Sequence, residues 1–107
     1  MRGQGGGVII NVSSLSAAVS SPGFSVYGAT KGFVNTLTVA LAAEGRRLGI
    51  RVYAVAPGYV RTDLLKRVAP EVTGDKALDP DDVAVAVQAL CGAAHRYSSG
   101  EVYSLRR

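Results

Sequence analysis

The segment SVYGATKGF places a tyrosine and a lysine four residues apart, at Tyr27 and Lys31. On an α-helix, residues at this spacing lie on one face, about 6 Å apart along the axis, so both side chains can reach one site. A phenol is a poor base near neutrality because its ordinary pKa lies near 10. A nearby ammonium group stabilises the phenolate, and the pair can then exchange a proton with a hydroxyl or carbonyl group. The same spacing also suits a tyrosine packed on the core beside a solvated lysine.

Three short apolar segments predict the strands that would position this pair, at about 8–13, 50–56 and 101–105. The first contains VIINV, whose β-branched residues favour a strand buried on both faces. The second, IRVYAVA, ends at Pro57-Gly58, and the third follows a turn at Gly100.

Helical patterns connect these strands, and the first of them covers about residues 26–48. Apolar residues recur in it at four-residue steps, at Phe33, Leu37 and Leu41, which predicts an amphipathic helix that ends before Gly49.

The second principal helix is predicted at about 80–94, with Asp79 as its N-cap and Pro80 as its first residue. The segment between the second strand and this helix predicts one short helix around Asp63–Val68. The order strand, helix, strand, helix, strand predicts an α/β fold in which two right-handed crossovers join three parallel strands.

The predicted sheet would leave its first strand as a long, apolar edge. Because such edges are usually paired or covered, we interpret the chain as a portion of a larger doubly wound sheet. In open parallel sheets, ligands bind beyond the carboxyl ends of the strands. Ser13-Ser14 and Pro57-Gly58 follow the first two strands, so we expect them to share this rim with the start of the helix that carries Tyr27.

Three segments resemble, in their order and spacing, the short-chain dehydrogenase/reductase family: NVSS, YGATK and IRVYAVAPGYVRT. The interval of thirteen residues from Ser14 to Tyr27 also matches that family. The resemblance runs from about Met1 to about Tyr103. It implies that residues 1–107 form the C-terminal half of a Rossmann-like domain. It also implies an NAD- or NADP-dependent oxidoreductase that transfers a hydride between nicotinamide and a carbonyl or alcohol substrate.

In that family, the matching positions imply Ser14 as the group that binds the substrate oxygen and Tyr27 as the general acid/base. They imply Lys31 as the cation that stabilises the phenolate and binds the nicotinamide ribose. Ser13 is the main alternative to Ser14, although the thirteen-residue interval favours Ser14.

The resemblance also implies a set of cofactor contacts that includes Tyr27 and Lys31. Pro57 and Gly58 match the motif beside the nicotinamide, and Val60 (through its backbone) and Thr62 match the carboxamide contacts. These residues do not discriminate between NAD and NADP. In the family, the residues that do so follow the first two strands of the N-terminal half, which residues 1–107 do not match.

Three family features are missing from these 107 residues: the TGxxxGxG turn, the NAG-type motif and the asparagine of the catalytic tetrad. The glycines at Gly3–Gly7 precede a predicted strand, so they cannot aim the N–H groups of a helix at a pyrophosphate. Two interpretations therefore remain: the active half of an enzyme, or a catalytically silent packing module. The resemblance further implies a homo-oligomer, in which the helix carrying Tyr27 packs against its copy, or a complementing N-terminal half.

Composition excludes several other classes. The net charge is +4, but the basic residues are scattered, so we expect no nucleic-acid binding. No signal peptide or long apolar run is found, and Cys91 is the single cysteine, which together predict a cytoplasmic protein without a membrane partner. We expect Cys91 to be a packed thiol and His95 a structural residue, with no metal site.

Overall fold

The computed structural model describes residues 1–72 and 74–107 of the 107-residue chain. Its sheet has three parallel strands in the order β1-β2-β3, with β1 at Gly7–Val12, β2 at Ile50–Pro57 and β3 at Val102–Leu105. Gly7 pairs with Ile50, and Ala54 pairs with Val102. The predicted Rossmann-like α/β fold with three parallel strands is confirmed.

The described residues form three α-helices, α1 at Ser25–Gly45, α2 at Asp63–Val68 and α3 at Pro80–Leu90. Short 3-10 helices lie at Arg2–Gln4, Leu15–Ala17, Arg46–Leu48, Gly74–Lys76 and Ala93–His95. The 3-10 turn after α1 ends at Gly49, whose positive φ of 69° confirms the predicted stop.

Helix α3 is shorter than predicted at its C-terminal end. Asp79 caps its first turn, since the Asp79 carboxylate accepts a hydrogen bond of 2.9 Å from the backbone N–H of Asp81. The guanidinium of Arg51 donates hydrogen bonds of 3.0 Å to the carbonyl oxygens of Cys91 and Gly92, just after the last helical turn. The prediction of a packed thiol is wrong, because Cys91 is exposed at this helix end.

Helices α1 and α3 pack on opposite faces of the sheet. Side chains alternate between the two faces of a strand, so Asn11 lies on one face of β1 while Val8 and Ile10 lie on the other. Asn11 contacts Thr38 of α1, whereas Val8 and Ile10 pack against a cluster that includes Leu90 of α3. Because both connections step in the same direction across the sheet, their crossovers have opposite hands. The prediction of two right-handed crossovers is therefore wrong.

The apolar core lies between the sheet and α3. Tyr53, Val55 and Leu90 are almost completely buried at its centre. Five partly buried side chains pack around them: Val8, Ile10, Val87, Tyr103 and Leu105.

Strand β1 is less buried than predicted. Its first five residues are only half-buried and Val12 is 58% exposed, whereas residues 52–57 of β2 are all buried. The difference arises because β1 lies at an edge of the sheet, with β2 on one side only.

The apolar stripe predicted on α1 does not pack on the sheet. Phe33 is 66% exposed and Leu37 is 36% exposed. The buried face of α1 consists of small or compact residues, namely Gly28, Thr38, Ala42 and Gly45. Small residues allow the helix to lie close to the sheet, and Phe33 and Leu37 point outward.

Among residues 1–72 and 74–107, no helix combines the length and the apolar character needed to cross a membrane.

Candidate active site

The carboxyl ends of β1 and β2 form the rim at which the predicted site residues meet. The backbone N–H of Ser13, directly after β1, donates a hydrogen bond of 2.7 Å to the carbonyl of Val55. Gly58, directly after β2, donates a backbone hydrogen bond of 2.8 Å to Leu105. A Cβ at position 58 would lie only 3.1 Å from the Leu15 side chain. The segment after β1 and the Pro57-Gly58 turn are therefore in contact.

Tyr27 lies in the first turn of α1 and is 42% exposed. Its ring packs edge-on against Phe24, with the ring centroids 6.2 Å apart. Within the described residues, the Tyr27 hydroxyl has no hydrogen-bond partner, so its proton can be offered to a ligand.

The ammonium of Lys31 lies 5.8 Å from the centroid of the Tyr27 ring. It also donates a hydrogen bond of 3.1 Å to the carbonyl oxygen of Val12, the last residue of β1. The i,i+4 spacing places the two side chains side by side, and the strand end holds the ammonium in place.

The two serines after β1 have different surroundings. Ser13 is only 3% exposed, and its hydroxyl donates a hydrogen bond of 3.2 Å to the backbone carbonyl of Lys31. Ser14 is half-buried in extended conformation and caps the following 3-10 helix, where its Oγ accepts a hydrogen bond of 3.2 Å from the N–H of Ser16. The Ser14 hydroxyl therefore keeps its own proton for another acceptor, whereas the Ser13 proton is already used.

The segment after Pro57-Gly58 presents backbone groups as well as a hydroxyl. Tyr59 and Arg61 pair with Leu78 through hydrogen bonds of 2.8 and 2.9 Å, which form an isolated parallel bridge at Val60. In such a bridge the backbone N–H and C=O groups of Val60 point away from Leu78. The N–H of Val60 has no partner among the described residues. Thr62 caps α2 by accepting a hydrogen bond of 3.3 Å from the N–H of Leu65.

A cavity of about 300 Å³ lies between α2 and the segment that follows it. Its lining is mainly apolar, with two cationic side chains at its edge, and comprises Arg61, Thr62, Leu65, Lys66, Ala69, Pro70, Val72, Gly74 and Ala77. Arg61 is held by an ion pair with Asp79, which ties this segment to the start of α3. Sequence reasoning missed this ion pair, because the two residues are eighteen positions apart and no periodic pattern relates them.

His95 lies away from this rim. Its Nδ1 is 3.3 Å from the Tyr103 hydroxyl, and the two rings pack edge-on with centroids 5.6 Å apart. In the described part of the chain, no three His, Cys, Asp or Glu side chains are grouped closely enough to hold a metal ion.

The rim fits one end of a nicotinamide dinucleotide. Lys31 offers a half-exposed ammonium and Val60 a free N–H, which are donors that a ribose and a carboxamide can use. The Thr62 hydroxyl donates a hydrogen bond of 3.3 Å to the Val60 carbonyl and would have to exchange it to donate to a carboxamide. The opposite end of a dinucleotide needs a glycine-rich turn from a strand into a helix. No described strand is followed by such a turn.

Comparison with known proteins identifies the family. Residues 1–73 match the family model described as short chain dehydrogenase. The chain is 37% identical to the 3alpha-hydroxysteroid dehydrogenase of Mediterraneibacter gnavus and 38% identical to the galactitol 2-dehydrogenase (L-tagatose-forming) of Cereibacter sphaeroides. Each alignment covers 98% of this chain but only 45% and 46% of the two relatives, so the chain spans less than half of their length.

Solved structures agree with this result. A 7 alpha-hydroxysteroid dehydrogenase, complexed with NADH and 7-oxo glycochenodeoxycholic acid, superposes with a TM-score of 0.88 at 28% identity, over 98% of this chain and 45% of the other. The 3-ketoacyl-(acyl-carrier-protein) reductase from Brucella melitensis, complexed with NADH, gives 0.81 at 35% identity, over 92% and 43%. The chain belongs to the short chain dehydrogenase family.

Proposed function

We propose that this chain provides the catalytic segment of an NAD- or NADP-dependent oxidoreductase that interconverts a carbonyl compound and its alcohol. The observation that carries the proposal is the arrangement at the rim. A half-exposed phenol with a free hydroxyl, an ammonium 5.8 Å from its ring and the hydroxyl of Ser14, two residues after β1, all lie near the carboxyl ends of β1 and β2.

In the reduction direction, the Ser14 hydroxyl donates a hydrogen bond to the substrate carbonyl oxygen and orients it. Tyr27 donates its proton to the same oxygen as negative charge develops there, and it takes the proton back in the oxidation direction. The Lys31 ammonium places a positive charge near the phenolate that Tyr27 leaves behind. When bound, the nicotinamide supplies or accepts the hydride.

The residues proposed to hold the cofactor are Tyr27, Lys31, Pro57, Gly58, Val60 and Thr62. Lys31 would exchange its hydrogen bond with Val12 for one with the ribose, and the N–H of Val60 would meet the carboxamide. The apolar cavity beside α2 would receive part of the substrate. We place this activity in the cytoplasm.

We further propose that an N-terminal half of the same fold, on this polypeptide or another, completes the site. The edge of β1 is open, and Val12 is exposed there. The Oδ1 atom of Asn35, one turn beyond Lys31 on α1, is buried without a hydrogen-bond partner among the described residues. A buried acceptor of this kind is costly, and a donor on an adjoining segment would satisfy it.

The outward face of α1 supports a second association, with another copy of the chain. Val26, Phe33 and Leu37 form an exposed apolar stripe along this helix. An isologous contact between two such stripes would bury these side chains in a homo-oligomer.

The alternative is a catalytically silent packing module. It is favoured by one observation: the described strands present no glycine-rich turn for the pyrophosphate. Without that anchor, the geometry needed for hydride transfer would be poorly enforced.

A hybrid enzyme tests the proposal. The N-terminal half of the galactitol 2-dehydrogenase from Cereibacter sphaeroides would be joined to this chain and assayed for ketone reduction with NADH and NADPH. We expect activity that Tyr27→Phe lowers at least about 100-fold, since general acid catalysis contributes that much. Tyr97→Phe, at an 89% exposed tyrosine beside Arg96, is the matched control and should change little. A folded but inactive hybrid would favour the silent module, and an active hybrid insensitive to Tyr27→Phe would refute the role of Tyr27.

A further inference from the structure

Ser13 joins three elements at the rim. Its backbone N–H donates to Val55 of β2 at 2.7 Å, and its hydroxyl donates to the carbonyl oxygen of Lys31 in α1 at 3.2 Å. Ser13 is only 3% exposed and therefore cannot contact a substrate. Its hydroxyl makes a hydrogen bond within the protein and is not available to a ligand.

Val12, the residue before Ser13, contacts the side-chain end of Lys31. The carbonyl oxygen of Val12 accepts a hydrogen bond of 3.1 Å from the Lys31 ammonium. Two consecutive residues of the strand end therefore contact Lys31 at both its backbone and its side-chain terminus. If the backbone of Lys31 moved relative to β1, the ammonium could keep its present position only through a change in the side-chain torsions.

We propose that Ser13 is a positioning residue that sets the place of the Lys31 ammonium beside Tyr27. This inference rests on the proposed function, because it concerns the lysine assigned there to the phenolate and the ribose. Ser13 acts through Lys31 and touches neither substrate nor cofactor, in contrast to Ser14 beside it.

The hydrogen bond between Asn11 of β1 and Thr38 of α1 lies too far away to replace Ser13. Asn11 donates a hydrogen bond of 2.9 Å to Thr38, which lies nearly two helical turns beyond Lys31. Loss of the Ser13 hydroxyl would thus release the active-site end of α1 and leave the distal end attached. The expected consequence is local: the helix remains on the sheet while Lys31 becomes more mobile.

Lysine methylation can measure this effect without any enzymatic turnover. The sequence contains three lysines, Lys31, Lys66 and Lys76, so reductive methylation with ¹³C-formaldehyde gives three lysine dimethylamine signals to follow by NMR, in addition to the signal of the N-terminal amine. Lys66 is a suitable internal reference, because its side chain is 76% exposed. We expect Lys31 to react more slowly than Lys66 in the unsubstituted chain, and Ser13→Ala to raise its rate about fivefold, as loss of one net hydrogen bond would.

Thr30→Ala is the matched control. The Thr30 hydroxyl also donates to a carbonyl of α1, that of Val26 at 2.8 Å, but it is exposed and connects no second element. This substitution should leave the Lys31 rate unchanged. Ser13→Cys provides a second variant of similar size with a weaker donor, in case the alanine variant does not fold, and should give a smaller increase.

A folded Ser13 variant in which Lys31 reacts at its original rate would overturn the inference. An equal increase in Thr30→Ala would do so as well, because the effect would then not depend on the tie to β1. Neither result would touch the proposed function, which Tyr27→Phe tests independently in the hybrid enzyme.

Discussion

Gly28 of α1 lies so close to Ser16 that a Cβ at position 28 would be 2.7 Å from the Ser16 carbonyl oxygen. This contact joins the turn that carries Tyr27 to the 3-10 helix that Ser14 caps. The distance between the two proposed catalytic hydroxyl groups therefore depends on a position that has no room for a side chain.

Gly28→Ala should destabilise the protein by about 1–3 kcal/mol, because the added methyl group meets backbone atoms that cannot move independently. Gly32→Ala is the control one turn further along α1, where a Cβ would have no neighbour within 4 Å. That substitution should stabilise the helix by roughly 0.5–1 kcal/mol. Urea unfolding followed by circular dichroism measures both, and equal stability of the two variants would contradict the close packing at Gly28.

Thr38→Val should cost about 1–3 kcal/mol in the free energy of unfolding. Thr38 is fully buried, and its hydroxyl accepts a hydrogen bond from Asn11 while it donates one of 2.8 Å to the carbonyl of Val34. Valine has nearly the same shape but leaves the Asn11 amide without its acceptor. Chemical unfolding gives the comparison with Thr30→Val, which makes the same change at an exposed position and should stay within about 0.5 kcal/mol. An unchanged free energy of unfolding in Thr38→Val would show that the hydrogen bond between Asn11 and Thr38 contributes no net stability.

Phe33→Glu should weaken self-association. The substitution places a charge in the middle of the exposed apolar stripe of α1, where a second copy would have to bury it. Light scattering and sedimentation over a range of concentrations report the mass. Val85→Glu introduces the same charge at a 63% exposed position on α3 and should leave the mass unchanged. A monomer before substitution, or an oligomer that tolerates Phe33→Glu, would show that α1 does not form the contact.

The chain alone should bind NAD and NADP only weakly, because its described residues offer donors to the nicotinamide end and no anchor for the pyrophosphate. Calorimetric titration with each cofactor should not reach saturation at micromolar concentrations. The hybrid with a complete glycine-rich turn should bind more tightly, and Lys31→Ala should weaken that binding. Micromolar binding by the chain alone would mean that other residues hold the dinucleotide.

Much of the architecture was predictable because its signals are local. The short β-branched run VIINV and the Pro57-Gly58 stop each mark a strand, and Asp79-Pro80 marks the start of α3. Motif order and spacing also sufficed for the family. The roles of Ser14, Tyr27 and Lys31 remain predictions from that resemblance, although the fold brings all three to one rim.

Burial and handedness depended on contacts between distant segments. The four-residue pattern of Phe33, Leu37 and Leu41 predicts an apolar stripe, but only packing decides which face of α1 meets the sheet. The sheet accepts the face with Thr38 and Gly45, which contact Asn11 of β1 and Ile50 of β2, because large side chains would hold the helix too far away.

The handedness of the crossovers and the role of Ser13 also depended on contacts between segments that are distant in the sequence. A sequence of alternating strands and helices favours right-handed connections on average, yet α3 packs on the face opposite to α1 because Val8, Ile10 and Tyr53 present apolar side chains there. Two adjacent serines are equivalent in the sequence. They differ in the fold, since alternation at the strand end directs Ser13 toward α1, where its hydroxyl reaches Lys31, and leaves Ser14 to cap the next turn.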